Sequence, residues 1–330
     1  MKHAANPSTF WLTTHRTLGA LLVIFLLTLP LYAADPPRQL LASGYVDQAI
    51  TALEQQISQN PMDAEAHNLL CRAYFMLDEW DKGIPECERA THLDPQRSLY
   101  FLWSGRIYGE KADHVKFFSA AGLAKKVRNS FERAVELNPR SWEARTDLAE
   151  FYLEAPGIVG GGKDKARDEA EAIRPLNPAM THWVLGRLAE KNKDLQTAES
   201  EFRAEIDASH SGARARLDLA IFFRHVNRPD EMEQALKALE TSPIDRAESL
   251  MDAGSLLLRT ERNYPLAIRL LRRYLSSPVE EGPAFKAHEL LGRILEKQGD
   301  RQAAAEQFRT ALSLAQTYSR AQEDLKRVEH

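Results

Sequence analysis

Apolar residues recur at intervals of three and four positions along most of the chain, which is the period of helices that bury one face. Two segments show the pattern best, "LGRLAEKNKDLQTAESEFRAEI" at 185–206 and "LGRILEKQGDRQAAAEQFRTAL" at 291–312, and they align without a gap. Each joins a helix that carries Leu-Gly to a helix that carries Ala-x-x-x-Phe. The pattern therefore predicts an all-α protein built from consecutive helical pairs.

Weaker copies of this pair occupy most of the remaining chain, and a partial copy, "GYVDQAITALEQQISQNP" at 44–61, precedes them. The polar segment at 319–330 follows the last copy and suits a capping helix. Antiparallel helices approach closely only where side chains are small. The residues that mark the weaker copies are Leu70, Cys71 and Ala90; Gly105, Phe131 and Ala134; Leu148, Ala149 and Ala166; Leu219, Ala220 and Met232; and Gly254, Ala267 and Leu271.

With Leu-Gly on the first helix (the A helix) and Ala-x-x-x-Phe on the second (the B helix), the chain resembles the tetratricopeptide repeat family, whose period is about 34 residues. The resemblance implies a right-handed α-solenoid of about seven full repeats with a partial repeat at its N-terminal end. This solenoid would span residues 35–318 and end in the capping helix. Because one hairpin cannot bury its apolar face alone, neighbouring repeats must stack.

Two repeats exceed the 34-residue period, since successive repeat-ending prolines at 95, 139 and 178 are 44 and 39 residues apart. The extra residues fall near 112–125 and 155–163, in turns that leave a solenoid along one edge. We expect these two insertions to lie side by side. Their apolar residues either pack against each other or form a docking patch; they are Phe117, Phe118, Ile158 and Val159.

The second insertion contains Gly157-x-x-x-x-Gly162-Lys163, which is most of a phosphate-binding loop. Such a loop needs a β-strand before it and a hydroxyl residue after the lysine. Here a helical pattern, "WEARTDLAEFYLEA", precedes the loop, and Asp164 takes the hydroxyl position. The sequence therefore predicts a structural turn and no nucleotide binding.

Residues 1–34 differ from the rest of the chain. Lys2 and Arg16 precede an uncharged run that ends at Ala33 and Ala34, which is typical of a secretory signal peptide. We expect cleavage after Ala33 or Ala34 and a periplasmic or secreted product; the alternative is a retained membrane anchor. The phrase "FYLEAPGIVGGG" is also similar to a loop of exported bacterial tetratricopeptide proteins of uncharacterised function.

Export would place Cys71 and Cys87, the two cysteines of the chain, in an oxidising compartment. They fall on the A and B helices of one repeat. The sequence leaves two alternatives open, a disulfide that staples the hairpin and a pair of packed free thiols.

The formal charge of -4 and the pI of about 6.2 disfavour nucleic acid as a partner. No metal, cofactor or catalytic motif is evident, and the chain is predicted not to be an enzyme. His67, His182 and His288 share one repeat position, but their repeats are not adjacent, so they are expected to be packing residues and not ligands of one ion.

In the family register, the residue after the small A-helix residue faces the concave groove. These residues are Arg72, Arg106, Glu150, Arg187, Ile221, Ser255 or Leu256, and Arg293. The four arginines suggest an electropositive groove for an acidic segment or a C-terminal carboxylate. The alternative is ion pairing along each helix with Glu110, Glu190 and Glu296.

Trp183 is the best single candidate for a binding hot spot, unless a shift of one residue buries it. The expected function is binding of a protein or peptide, without nucleotide or cofactor. The alternative is a cell-envelope assembly factor or an accessory subunit that recruits a catalytic partner.

Overall fold

The computed structural model describes residues 36–277 and 282–330, apart from the side chains of Phe117 and Phe118. The predicted signal segment lies outside this part of the chain. Across the described ranges, no helix combines the length and the apolar character that crossing a bilayer requires.

All regular structure in the described ranges is helical, and it comprises seventeen α-helices and one short 3-10 turn. The helices are α1 Pro37–Ala42, α2 Val46–Gln59, α3 Ala64–Met76, α4 Trp80–Leu93, α5 Ser98–Asp113, α6 Phe117–Leu137, α7 Trp142–Glu154, α8 Lys163–Ile173, α9 Pro178–Lys191, α10 Leu195–Ala208, α11 Ala213–His225, α12 Pro229–Ala238, α13 Glu248–Arg259, α14 Tyr264–Leu275, α15 Ala284–Lys297, α16 Arg301–Leu314 and α17 Ser319–Glu329. The 3-10 turn is Gly157–Val159.

The predicted repeat count is confirmed. Helices α1 and α2 form the partial repeat, and seven A and B pairs follow from α3 to α16. Helix α1 has only six residues, so the first helix of the partial repeat is short. Helix α17 packs on α16 after the last pair.

Each hairpin is drawn together where a B-helix side chain lies on a small A-helix residue. A Cβ atom added to Gly186 would lie 3.1 Å from the ring of Phe202, and one added to Gly292 would lie 2.4 Å from Phe308. Any larger side chain would push the two helices apart. This contact explains why the sequence pairs a small residue with Phe about sixteen positions later.

The turns within the two clearest pairs use one geometry. Lys193 and Gly299 have φ values of 63° and 87°, in the left-handed region. The next residue, Asp194 or Asp300, accepts a hydrogen bond from the backbone N–H three positions later and caps the B helix. The turn chemistry thus fixes where each B helix begins.

The 44-residue repeat does not contain the expected insertion in its turn. Helices α5 and α6 have 16 and 21 residues, whereas α9 and α10 have 14 each, and only residues 114–116 connect α5 to α6. The extra residues extend both helices because the segment is rich in Ala and contains Lys, both of which are strong helix formers. In the 39-residue repeat the long turn is present, at 155–162.

Cys71 and Cys87 are joined by a disulfide between α3 and α4. Both residues are fully buried beside Ile107 of the next A helix. A crosslink over a separation of 16 residues restricts the unfolded chain, which corresponds to roughly 3 kcal/mol in the loop-entropy treatment.

The first and last repeats pack against each other, which the sequence pattern did not reveal. Lys286 Nζ lies 2.7 Å from Asp78 Oδ1, 208 residues away in the chain, and the N–H of Gln316 donates to Asp47 Oδ2 over 2.5 Å. One apolar cluster, referred to below as the closing cluster, combines buried residues from both ends. Its members include Leu40, Leu41, Val46, Phe285, Ala311, Ala315, Tyr318 and Ala321.

Replacing Phe285 by Ala tests the closing cluster. We expect a loss of about 3–5 kcal/mol in the free energy of unfolding, since a fully buried ring is removed. Amide hydrogen exchange should rise in α15 and also in α1 and α2. Phe222→Ala, at a buried position away from the closure, should not expose α1 and α2 preferentially. Unchanged exchange of α1 and α2 in Phe285→Ala would argue against the closure.

Candidate functional site

The A helices of the central repeats line a cavity of about 270 Å³. Four of the predicted groove residues, Glu150, Trp183, Arg187 and Ile221, lie together in its wall. The remaining lining residues are Phe202, Arg214, Leu217, Asp218, Phe222, Arg246, Ser249 and Asp252. Helices α7, α9, α11 and α13 supply most of this wall, so the cavity depends on the register of four consecutive repeats.

Trp183 forms part of the wall and is 7% exposed. The guanidinium carbon of Arg214 lies 5.9 Å from the centre of its ring. Trp183 therefore borders the cavity while most of its ring is packed.

The predicted arginine row is already engaged by other groups. Arg187 contacts Glu154 at 2.6 Å and Glu190 at 3.3 Å, and Arg106 contacts Asp147 of the next A helix at 2.7 Å. These pairs include contacts between repeats as well as along one helix. The geometry therefore favours ion pairing over a free electropositive groove.

Arg72 and Arg293 do not line the cavity. The guanidinium carbons of Arg72 and Arg106 lie 4.5 Å and 5.0 Å from the centre of the Trp103 ring, so the two arginines share one aromatic residue. Arg293 lies 3.3 Å from Glu289, one turn earlier on its helix. The structure brings together only one of the four predicted arginines with Trp183.

Glu150 and Asp252 are exposed on the cavity side, and neither forms a hydrogen bond or ion pair with any described residue. Protein surrounds the carboxyl of Glu150 on its other sides. This burial raises the pKa of Glu150 to about 7, Asp147 adds to the increase, and Arg187 opposes it. Burial also raises the pKa of Asp252, which Arg246 partly offsets.

Asp218 lines the cavity and contacts Glu205 of α10, which lies behind the wall. Burial raises the pKa of both carboxyls, and the negative charge of Asp218 further raises the pKa of Glu205. Neither Asp218 Oδ2 nor Glu205 Oε2 receives a hydrogen bond from the described chain. The two groups therefore share a proton unless a donor arrives from outside.

Sequence reasoning missed Arg214, Asp218, Arg246 and Asp252. A signal was nevertheless present, because Asp147, Asp218 and Asp252 each stand two residues before the small residue of their A helix. In α11 and α13 this position lines the cavity. The position after the small residue, which the family register predicts to face the groove, also lines it in α7, α9 and α11.

The edge formed by the long turn is the second predicted site. Ile158 is 89% exposed, whereas Val159 is 5% exposed. Arg128 of α6 donates to the carbonyl oxygen of Val159 at 3.3 Å, so the two long repeats do meet at this edge. Phe117 and Phe118 begin α6, close in sequence to this contact.

The glycine-rich turn uses its own backbone N–H groups. Gly161 N–H donates to the Pro156 oxygen at 3.2 Å and Gly162 N–H to the Tyr152 oxygen at 2.9 Å. Lys163 Nζ donates to the carbonyl oxygen of Lys191, at the end of α9. A Cβ on Gly161 would fall 1.8 Å from the Ala155 oxygen, so tight packing accounts for this glycine.

The three histidines at one repeat position each bond to the B-helix residue 19 positions later. The Nδ1 atoms of His67 and His182 lie 2.6 Å from Glu86 and 2.7 Å from Glu201, and that of His288 lies 2.8 Å from Gln307. Among the described residues, no group of three His, Cys, Asp or Glu side chains could hold a metal ion. These histidines therefore tie A helices to B helices.

Comparison with known families agrees with this architecture. Residues 40–102 match one tetratricopeptide repeat model and residues 251–322 match another. The chain therefore contains tetratricopeptide repeats in both of these segments. A search of curated proteins gave no match.

Solved structures with the same architecture share little sequence with the chain. Yeast Tom70 is 16% identical, with a TM-score of 0.50 over 86% of this chain and 58% of that one. The chain thus spans somewhat more than half of Tom70. A thermophilic tetratricopeptide protein of Thermus thermophilus is 18% identical, with a TM-score of 0.48, over 57% of this chain and 95% of its own. The likeness to Tom70 shows the fold alone.

The glycine-rich turn leads to a prediction about nucleotides. Because its N–H groups and Lys163 already have partners, we expect no saturable binding of Mg-ATP in equilibrium dialysis of the intact protein. Mg²⁺-dependent, saturable binding that Lys163→Ala abolishes would contradict this structural interpretation.

The Glu205 and Asp218 pair predicts how stability depends on pH. In the folded state Glu205 holds its proton to a higher pH than in the unfolded chain, where it ionises near its ordinary pKa of 4.5. The unfolded state therefore binds fewer protons as the pH rises above about 4.5, and the free energy of unfolding falls.

Glu205→Gln removes this ionisation and leaves an amide that can donate to Asp218. We expect its stability relative to the wild type to increase as the pH rises above about 4.5 in urea denaturation. Glu306→Gln, at an exposed position on α16, provides the matched control and should show no such trend. A difference independent of pH would refute the shared proton.

Proposed function

We propose that the chain is an exported scaffold that binds a protein or an extended peptide through the cavity of its A helices, without chemistry of its own. The observation that carries the proposal is the cavity wall around Trp183, where four consecutive repeats place charged and aromatic groups. Tetratricopeptide repeat proteins in general mediate protein–protein interactions, and this wall is the preformed concave surface on which such binding relies.

The size of the cavity indicates what part of a partner enters it. A volume of about 270 Å³ lies at the lower end of ligand sites. It suits one large side chain with its backbone better than a folded element. We infer that an extended segment lies along the A helices and inserts a single side chain beside Trp183.

The edge at Ile158 is a second contact surface in this proposal. Its exposure of 89% is the largest of any large apolar residue in the described part of the chain. A partner held at this edge and in the cavity could be an envelope assembly component or an enzyme that the scaffold recruits. N-terminal sequencing of the exported product tests the export step, with residue 34 or 35 expected as the first.

Two substitutions of Ile by Glu distinguish the cavity from the edge as the site of partner binding. Ile221→Glu places a charge in the cavity wall, and Ile158→Glu places the same charge on the edge. In affinity capture from the cell envelope, we expect Ile221→Glu to lose the partner and Ile158→Glu at most to weaken its capture. Loss only in Ile158→Glu would move the site to the edge. Full retention by both variants would refute the proposal.

A further inference from the structure

The unused hydrogen-bonding capacity of the cavity lies on its acidic groups. Glu150 and Asp252 have no hydrogen bond or ion pair with the described chain. Asp218 Oδ2 is 3.6 Å from Arg214 Nε, too far for a hydrogen bond. Glu150 on α7 and Asp252 on α13 are therefore available to a donor. Asp218 on α11 has an ion pair with Arg214, but its Oδ2 atom can still accept a hydrogen bond.

The arginines of the same wall are, by contrast, occupied. Arg187 has two carboxylate partners, Glu154 and Glu190. Arg246 lies 3.8 Å from Glu248, and Arg214 is positioned between Asp218 and the face of Trp183. An incoming anion would have to displace these partners, whereas a cation would bind without displacing them.

A buried carboxyl behind the wall, that of Glu205, also favours a cationic ligand. Glu205 is 1% exposed, and its Oε2 atom, which lacks a hydrogen bond from the described chain, belongs to a carboxyl in contact with Asp218. Without another donor, the proton that Glu205 shares with Asp218 is what satisfies this pair. A cation beside Asp218 would give that carboxyl a charge-assisted hydrogen bond instead. Asp218 thus connects the carboxyls of the cavity wall to a carboxyl that is buried behind them.

We propose that the cavity takes a basic side chain, the ammonium or guanidinium group of a lysine or arginine in the partner segment. Its nitrogen faces the wall that Glu150, Asp218 and Asp252 line, and its apolar stem packs on the wall at Trp183. This inference rests on the proposed function and names the chemistry of the inserted side chain. It reverses the expectation of an acidic ligand that the arginines raised from sequence.

Three fluorescent peptides test the inference, identical except for a central Lys, norleucine or Glu. Norleucine keeps the stem of lysine and removes its charge. In fluorescence polarisation with the full exported chain, we expect the Lys peptide to bind about tenfold more tightly than the norleucine peptide, as one or two charge-assisted hydrogen bonds would give. The Glu peptide should bind most weakly.

Neutral variants identify the groups responsible. Glu150→Gln and Asp252→Asn should each reduce the advantage of Lys over norleucine, while affinity for the norleucine peptide stays the same. Asp230→Asn is the matched control, since this carboxylate on α12 is 81% exposed and outside the cavity. It should leave the advantage unchanged.

The outcomes separate this inference from the proposed function. Equal binding of the Lys and norleucine peptides, or tightest binding of the Glu peptide, would overturn the basic side chain and leave a peptide-binding cavity. Absence of binding for all three peptides would overturn both. Free n-butylammonium could also compete at concentrations as low as those of the Lys peptide. In that case the cavity would still be a cationic site, but its ligand would be a small amine.

Discussion

Close contact between a B-helix ring and an A-helix glycine sets the geometry of the repeat array. At Gly105 an added Cβ would fall 2.2 Å from the ring of Phe131, and similar contacts recur at Gly186 and Gly292. The A helices therefore sit close to their own B helices, and the array curves with the A helices on the inside. The His-to-Glu and His-to-Gln bonds across three hairpins reinforce this pairing.

Curvature has two consequences. It brings the first and last repeats into contact through the closing cluster and the ion pair between Asp78 and Lys286. It also directs polar A-helix residues from neighbouring repeats toward one another, which concentrates charge in the cavity. Acidic groups held there by protein on several sides lose hydration, and the raised pKa values of Glu150 and Asp252 reflect that loss.

Much of this fold could be predicted from sequence because its contacts are local. Gly186 and Phe202 belong to one hairpin, so their spacing along the chain reports directly on their contact. The closure could not be predicted in this way, since Asp78 and Lys286 are 208 residues apart and their meeting depends on rotations summed over all repeats. At the site, the register identified Trp183 and Arg187, but the pairing of Arg187 with Glu154 depends on the offset between repeats.

Zero-length carbodiimide crosslinking tests the closure most directly, because it couples a carboxylate to an amine only when the two are in contact. Asp78 and Lys286 are 2.7 Å apart, and so are Asp81 and Lys111 of neighbouring repeats. Mass spectrometry of the crosslinked monomer should find both isopeptide bonds. Efficient coupling of Asp81 to Lys111 without any product between Asp78 and Lys286 would contradict an array that closes on itself.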